Sequence, residues 1–161
     1  MRDEQLVFIL TALWAVSIVG CHRDTRTYTV ANISITYADE TGETYSQTSS
    51  GKYGDGYISS SRGIAVHVKG VKRSQDHTGC SWPLLSSAHP DQPLPKEPWI
   101  AVISRGACNF EVKVANAWRA NASAVIIYND RDSAPLEKMV LNTDNDCLNS
   151  YNNFKHLTVC M

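Results

Sequence analysis

The sequence has no excess of charge of either sign, since 15 lysines and arginines stand against 16 aspartates and glutamates. Proteins that bind nucleic acid need a clustered basic face, so the formal net charge of -1 argues against that class. The chain is not poor in apolar residues, because 43% of its 161 residues are hydrophobic. This composition excludes a disordered chain and indicates one packed domain.

Long apolar runs are missing after residue 21, and the run before it, residues 6–21, is short. As a helix it would reach ~24 Å at ~1.5 Å per residue, which is less than the ~30 Å of a bilayer core. Small residues near its end (Ala15, Ser17 and Gly20) favour a secretory signal peptide over residues 1–21. We expect no stable membrane span after its removal. A buried N-terminal helix is the alternative interpretation.

Cysteines and glycosylation sequons also indicate the secretory pathway. Cleavage after residue 21 would leave an even number of cysteines, namely Cys80, Cys108, Cys147 and Cys160. In an oxidising compartment these predict disulfides, with three possible pairings. Asn-x-Ser sequons at Asn32 and Asn121 predict N-glycosylation of a luminal chain. Asn121 could instead end a helix, a place where asparagine is common.

The first half of the chain is predicted to contain two strands. Residues 28–37 and 63–71 alternate apolar and polar side chains, which is typical of a half-buried strand. Residues 38–62 are rich in Gly, Ser and Thr and are predicted to form a long exposed excursion. Residues 72–98 hold five of the six prolines, and proline denies a main-chain donor, so regular sheet is not expected there.

Residues 99–130 are predicted to form a β–α–β unit. Apolar runs at 99–103 and 124–128 indicate buried strands that pair in parallel. Between them, Asn109 is a candidate helix cap, with Glu111 favourably placed in the first turn. The predicted apolar face of the helix consists of Phe110, Val114, Ala117 and Trp118. Its predicted polar face holds Lys113, Asn116 and Arg119.

The sequence contains few of the motifs that carry chemistry. It has no Gly-x-Ser-x-Gly turn, no phosphate-binding glycine loop and no complete EF-hand loop. Among its His and Cys residues, only the His77-x-x-Cys80 pair has spacing suited to a metal. Cys108 at a helix start is either an activated thiol or half of a disulfide. We expect no catalytic residue, no cofactor and no metal site.

The run WIAVISRGACNFEVKVANAWRANASAVIIYND, residues 99–130, resembles the core of a protease-associated (PA) domain. The shared features are an apolar strand, an Arg-Gly turn, a Cys before a Phe, a Lys one turn later, and a second apolar strand. With YTVANISITY, GKYG and Gly79-Cys80 upstream, the chain is similar to the luminal domain of Goliath-type PA–transmembrane–RING ubiquitin ligases.

The resemblance implies an α/β (α+β) fold, a PA-domain-like β-sandwich or open barrel with a β–α–β unit. It also implies a disulfide between Cys80 and Cys108. Cys147 and Cys160 have no counterpart in it and could pair with each other or stay free. Family members continue into a transmembrane helix and a zinc-binding RING, whereas this chain has neither a later apolar span nor a C-x-x-C pair.

We therefore expect a truncated form with a signal peptide (1–21), an incomplete PA domain (28–139) and an atypical polar tail (140–161). Full-length relatives are single-pass membrane proteins, whereas this chain is expected in the endomembrane lumen or secreted. Its expected function is non-catalytic binding of a luminal or extracellular protein near Trp82 and Trp99, which flank the prolines. The alternatives are a secreted hydrolase with a Ser or Cys nucleophile, and the PA domain of a sorting receptor or peptidase.

Overall fold

The computed structural model describes residues 28–54, 58–71, 75–131, 135–136 and 139, and the main chain of 157–160. The predicted signal peptide and Cys147 lie outside these residues. The described part contains one α-helix, α1 (Phe110–Arg119), and seven strands. The strands are β1 (Val30–Ala38), β2 (Thr44–Tyr53), β3 (Ile64–Gly70), β4 (Leu84–Ser86), β5 (Trp99–Ser104), β6 (Ala124–Tyr128) and β7 (Leu157–Cys160).

Hydrogen bonds join the strands in the order β1-β2-β7-β6-β5-β3-β4. The central strands β3, β5, β6 and β7 are parallel to their neighbours in this group. β2 pairs antiparallel with both β1 and β7, and β4 pairs antiparallel with β3. The predicted mixed α/β fold is confirmed, and β5, α1 and β6 form the predicted β–α–β unit with a parallel strand pair.

The main hydrophobic core lies on the two strands of that unit. Alternate residues of β5 point into it (Trp99, Ala101 and Ile103), and all three are fully buried. On β6 four consecutive residues from Ala124 to Ile127 are buried, as expected of a strand covered on both faces. The prediction that Trp99 contributes to a partner surface is wrong, because its side chain is 0% exposed within this core.

Three strands were not predicted. β2 lies in the stretch expected to be an exposed excursion, and most of its side chains are exposed. It forms because main-chain pairing with β1 extends over nine residue pairs. β4 adds three residues to the sheet within the proline-rich stretch. β7, within the expected polar tail, lies between β2 and β6.

Helix α1 is rotated relative to the predicted apolar face. Lys113 and Asn116, assigned to the polar face, are 0% and 5% exposed, whereas Trp118 is 43% exposed. The prediction is wrong for these residues because main-chain carbonyls receive the two polar side chains, as described below. Asn109 precedes the helix, as predicted, but its side chain makes no capping hydrogen bond.

Candidate functional site

A disulfide joins the start of helix α1 to the loop before β4. The Sγ atoms of Cys80 and Cys108 are 2.03 Å apart, and their Cα atoms are 5.9 Å apart. These are the two cysteines that the family resemblance pairs. Cys80 belongs to residues 75–83, called here the Trp82 loop, and Cys108 follows the turn after β5. Since the sulfur of Cys108 is bonded, it is not available as a free nucleophilic thiol.

Lys113 is a fully buried cation beneath this disulfide. Its Nζ donates hydrogen bonds to the carbonyl oxygen of Thr78, to that of Ser104 at 3.1 Å and to that of Gly106 at 2.7 Å. An ammonium group has three donors, so these acceptors satisfy it completely. The same nitrogen lies 3.5 Å from Sγ of Cys80. Lys113 therefore ties the Trp82 loop to the end of β5.

Burial lowers the pKa of Lys113 to about 8, because desolvation disfavours the charged form, and the nearby Asp76 carboxylate only partly opposes this effect. The Asp76 side chain accepts hydrogen bonds from other residues of the loop. Its carboxylate accepts hydrogen bonds from the amide of Thr78 at 3.1 Å and from the hydroxyl of Ser81 at 3.1 Å. Hydrogen bonds, first of all from the Thr78 side chain, lower the pKa of Asp76. Its side chain is therefore an ionised carboxylate at neutral pH.

Asn116 provides a second link from the helix to the loop. Its side-chain amide donates to the carbonyl oxygen of Gly79 at 2.9 Å. Gly79 has φ +67, and a Cβ there would lie 3.0 Å from two side-chain atoms of Ile103. Only glycine combines this backbone conformation with such a close approach to the core. The loop is therefore pressed against β5 at this residue.

Main-chain hydrogen bonds complete the attachment of the loop to the sheet. The amide of Gly70, the last residue of β3, donates to the carbonyl oxygen of Asp76 at 2.7 Å. The amide of Ser104, the last residue of β5, donates to the carbonyl oxygen of His77 at 2.8 Å. The Trp82 loop is thus held by main chain, by two helix side chains and by the disulfide.

Trp82 follows this anchored segment and is 51% exposed. Two residues later β4 begins, with Leu84 paired to Gly70. Pro83 directly precedes Leu84 and Val71 directly follows Gly70, so both lie just beyond this pair; both are exposed, Val71 by 53%. We call these neighbouring exposed residues, Val71, Trp82 and Pro83, the Trp82 surface. Of the two tryptophans predicted for partner binding, only Trp82 is available at the surface.

A cavity of about 430 Å³ borders Cys108, after the carboxyl ends of β5 and β6. It is lined by residues 105–111 and Asp130. In parallel sheets this end is where ligands commonly bind. Nη1 of Arg105 donates to Oδ1 of Asn129 at 3.3 Å across the two loops. Cys108 was a candidate site residue from its sequence position, but the sequence pattern around it does not predict this cavity.

Two histidines of the described residues, His67 and His77, make structural contacts. The rings of His67 and His77 stack with their centroids 4.3 Å apart. Nε2 of His67 lies 2.9 Å from the hydroxyl of Tyr128, and Nδ1 of His77 donates to the carbonyl oxygen of Val68 at 2.9 Å. Burial lowers the pKa of His67, and the adjacent His77 lowers it further. Within the described part of the chain, no three potential metal ligands cluster.

Both sequon asparagines are exposed. Asn32 lies on β1, opposite Ser50 of β2. Asn121 has φ +64 just after α1. Its amide donates to the carbonyl oxygen of Trp118, and the amide of Ala122 donates to that of Ala117, the pattern of a Schellman motif. The alternative reading of Asn121 as a residue that ends a helix is therefore confirmed, and its glycosylation remains a prediction.

No helix in the described residues is long and apolar enough to cross a bilayer. Comparison with known proteins gives one family match. A profile of the PA domain matches residues 64–156, more than half of the chain. The match begins at β3 and extends past the predicted domain end at residue 139.

Several curated relatives are similar to this chain over part of their length. E3 ubiquitin-protein ligase RNF149 of Mus musculus is 35% identical over 101 residues, which is 62% of this chain and 25% of the relative. The Homo sapiens protein of that name is 33% identical over 129 residues, 78% of this chain and 31% of the relative. RING finger protein 150 of Danio rerio is 30% identical over 141 residues, 80% and 31% respectively. The chain thus spans about a quarter to a third of these relatives.

Proposed function

Because this chain belongs to the PA domain family, we propose that it is a non-catalytic module that binds another protein in the secretory lumen or outside the cell. Its relatives include proteins named E3 ubiquitin-protein ligases, and the aligned part covers 25% to 31% of them. In a protein of this type, the bound partner would be a substrate or a regulator of the ligase. This chain would contribute recognition and no chemistry of its own.

The observation that carries the proposal is the exposed indole of Trp82 on an immobilised loop. Tryptophan is the residue most enriched at the energetic centres of protein interfaces. Cys80 lies two residues before it and β4 begins two residues after it, so the indole is presented without a large ordering cost. Val71 and Pro83 extend the apolar contact area around it.

The hydrolase alternative receives no support from the contacts of the described residues. The Cys108 thiol is consumed by the disulfide. His67 contacts the hydroxyl of Tyr128, and His77 contacts a main-chain carbonyl. A nucleophile needs a base within hydrogen-bond reach, and neither of these histidines has a serine or cysteine partner of that kind.

Two features support a luminal or extracellular location. A disulfide persists in oxidising compartments and is rare in the cytosol, and one links Cys80 to Cys108. The sequon asparagines Asn32 and Asn121 are both exposed, so an oligosaccharide could be attached to either without unfolding the domain.

A photo-crosslinking experiment tests the proposed surface. A photoreactive phenylalanine analogue is placed at position 82 in the chain expressed in the secretory pathway, and at position 118 as the matched control. Both positions carry exposed tryptophans, at 51% and 43%, but Trp118 lies on helix α1. We expect a specific protein adduct from position 82 and not from position 118. Equal adducts from both positions, or none from position 82, would refute the Trp82 surface.

A further inference from the structure

The two sulfur atoms of the disulfide have different surroundings. Both cysteines are partly exposed, but Sγ of Cys80 lies 3.5 Å from the ammonium nitrogen of the buried Lys113. Cys108 lines the wall of the 430 Å³ cavity, whereas Cys80 is not among its lining residues. One cysteine of the bridge therefore borders the cavity, and the sulfur of the other lies beside a cation.

We propose that this bridge is a site of thiol–disulfide exchange, at which an external small thiol attacks Cys108 and Cys80 leaves. The attacking thiolate forms a new S–S bond to Sγ of Cys108, and the Cys80–Cys108 bond breaks. Its electron pair goes to Sγ of Cys80, which becomes a thiolate. The incoming sulfur is oxidised to the disulfide level and Cys80 is reduced, so no further oxidant or reductant is required.

The charge next to Cys80 determines which cysteine is attacked and which one leaves. A thiolate is stabilised by a neighbouring ammonium group, and a thiol of lower pKa is the better leaving group. The carbonyls of Ser104 and Gly106 hold the Lys113 ammonium in place. Its positive charge, 3.5 Å from Sγ of Cys80, stabilises the developing thiolate through space. With a pKa of about 8, Lys113 remains mainly protonated at neutral pH.

The cavity also indicates which thiol to use as a probe. Its wall carries Glu111 and Asp130 beside Arg105, so acidic groups outnumber basic ones. A small cationic thiol is therefore favoured over an anionic one. Cysteamine combines the required size with a positive charge.

Peptide mapping of the first exchange product tests the direction of attack. The full chain is treated with cysteamine at neutral pH, quenched with acid at early times, alkylated and digested. We expect cysteamine on Cys108 and the alkyl group on Cys80, in excess over the reverse product by about tenfold. A majority of cysteamine on Cys80, or an even distribution, would overturn the proposal.

Substitution of the lysine tests the cause of the preference. Lys113→Met should slow formation of the Cys108 adduct by about tenfold and abolish the preference, because the leaving thiolate loses its cation. Lys52→Met is the matched control, since Nζ of Lys52 also donates to a main-chain carbonyl, that of Leu136. It should behave as the unaltered chain. An unchanged rate and product ratio in Lys113→Met would contradict the mechanism, and if that variant does not fold, the product ratio of the unaltered chain decides.

Discussion

The side-chain amide of Asn116 donates a hydrogen bond of 2.9 Å to the carbonyl oxygen of Gly79, joining the middle of helix α1 to the Trp82 loop. Lys113, one turn earlier, reaches the same loop at Thr78. The disulfide from Cys108 makes a third connection. The position of the exposed indole therefore depends on a helix whose buried face is partly polar.

Removing the disulfide should destabilise the domain without changing its fold. The bridge joins residues 28 positions apart in the sequence, and the chain-entropy estimate for such a loop is about 3.5 kcal/mol. Urea denaturation of the double variant Cys80→Ala/Cys108→Ala should show a loss of this order relative to the unaltered chain. A loss below about 1 kcal/mol would mean that the bridge constrains the unfolded chain far less than its loop length implies.

Adding one methyl group at Gly79 should reveal how closely the loop packs on the core. Gly79→Ala places a Cβ 3.0 Å from Ile103 at a positive φ. Gly42→Ala has the same backbone difficulty, with φ +84, but its Cβ would meet nothing within 4 Å. We expect a loss of about 1 kcal/mol at Gly42 and about 1–3 kcal/mol more at Gly79. Equal losses of unfolding free energy at the two positions, measured by denaturant titration, would show that the Ile103 side chain moves aside without destabilising the domain.

The stability of the domain should rise as the pH increases from about 8 to about 10. The pKa of Lys113 is lowered from 10.5 to about 8 in the folded chain, so the unfolded chain binds its proton more tightly in this range. The free energy of unfolding then increases with pH, by roughly 2–3 kcal/mol over the window. The measurement is denaturation at several pH values after alkylation of free thiols. Lys113→Met should lack the rise, and a rise of equal size in that variant would assign it to other groups.

The β–α–β unit was predictable because its strands are nearly continuous apolar runs that end at clear breaks. Trp99 and Ile103 open and close one such run, and both are buried as a parallel strand requires. The rotation of α1 was not predictable, since hydrophobic periodicity places lysine on the outer face by default. Lys113 is buried only because carbonyls from distant segments, at Thr78 and Ser104, converge on it.

Strands β2 and β7 were not predicted because their sequences show no hydrophobic periodicity. β2 reads TYSQTSSGKY, and its pairing with β1 rests on main-chain hydrogen bonds that any residue except proline can make. A turn closes the hairpin, in which Oδ1 of Asp39 accepts from the amides of Thr41 and Glu43. β7 has four residues, too few to show periodicity, and its place between β2 and β6 is a tertiary property.

Both sequons should carry oligosaccharide when the chain passes through the secretory pathway. Asn32→Gln removes the first site on an exposed strand position. Asn121→Gly removes the second and preserves the helix end, because glycine readily adopts the positive φ found there, +64. Each variant should lose one glycosidase-sensitive step in gel mobility, and the double variant both steps. A chain whose mobility glycosidase does not change would contradict the luminal location.

Measuring the affinity of the cross-linked partner for variants of the two exposed tryptophans tests the central claim most directly. Trp82→Ala removes the indole that follows the anchored loop, whereas Trp118→Ala removes one of similar exposure on α1. We predict that Trp82→Ala raises Kd by at least about tenfold and that Trp118→Ala leaves Kd within about twofold of the unaltered chain. An unchanged Kd for a folded Trp82→Ala variant, verified by circular dichroism and an intact disulfide, would contradict this account.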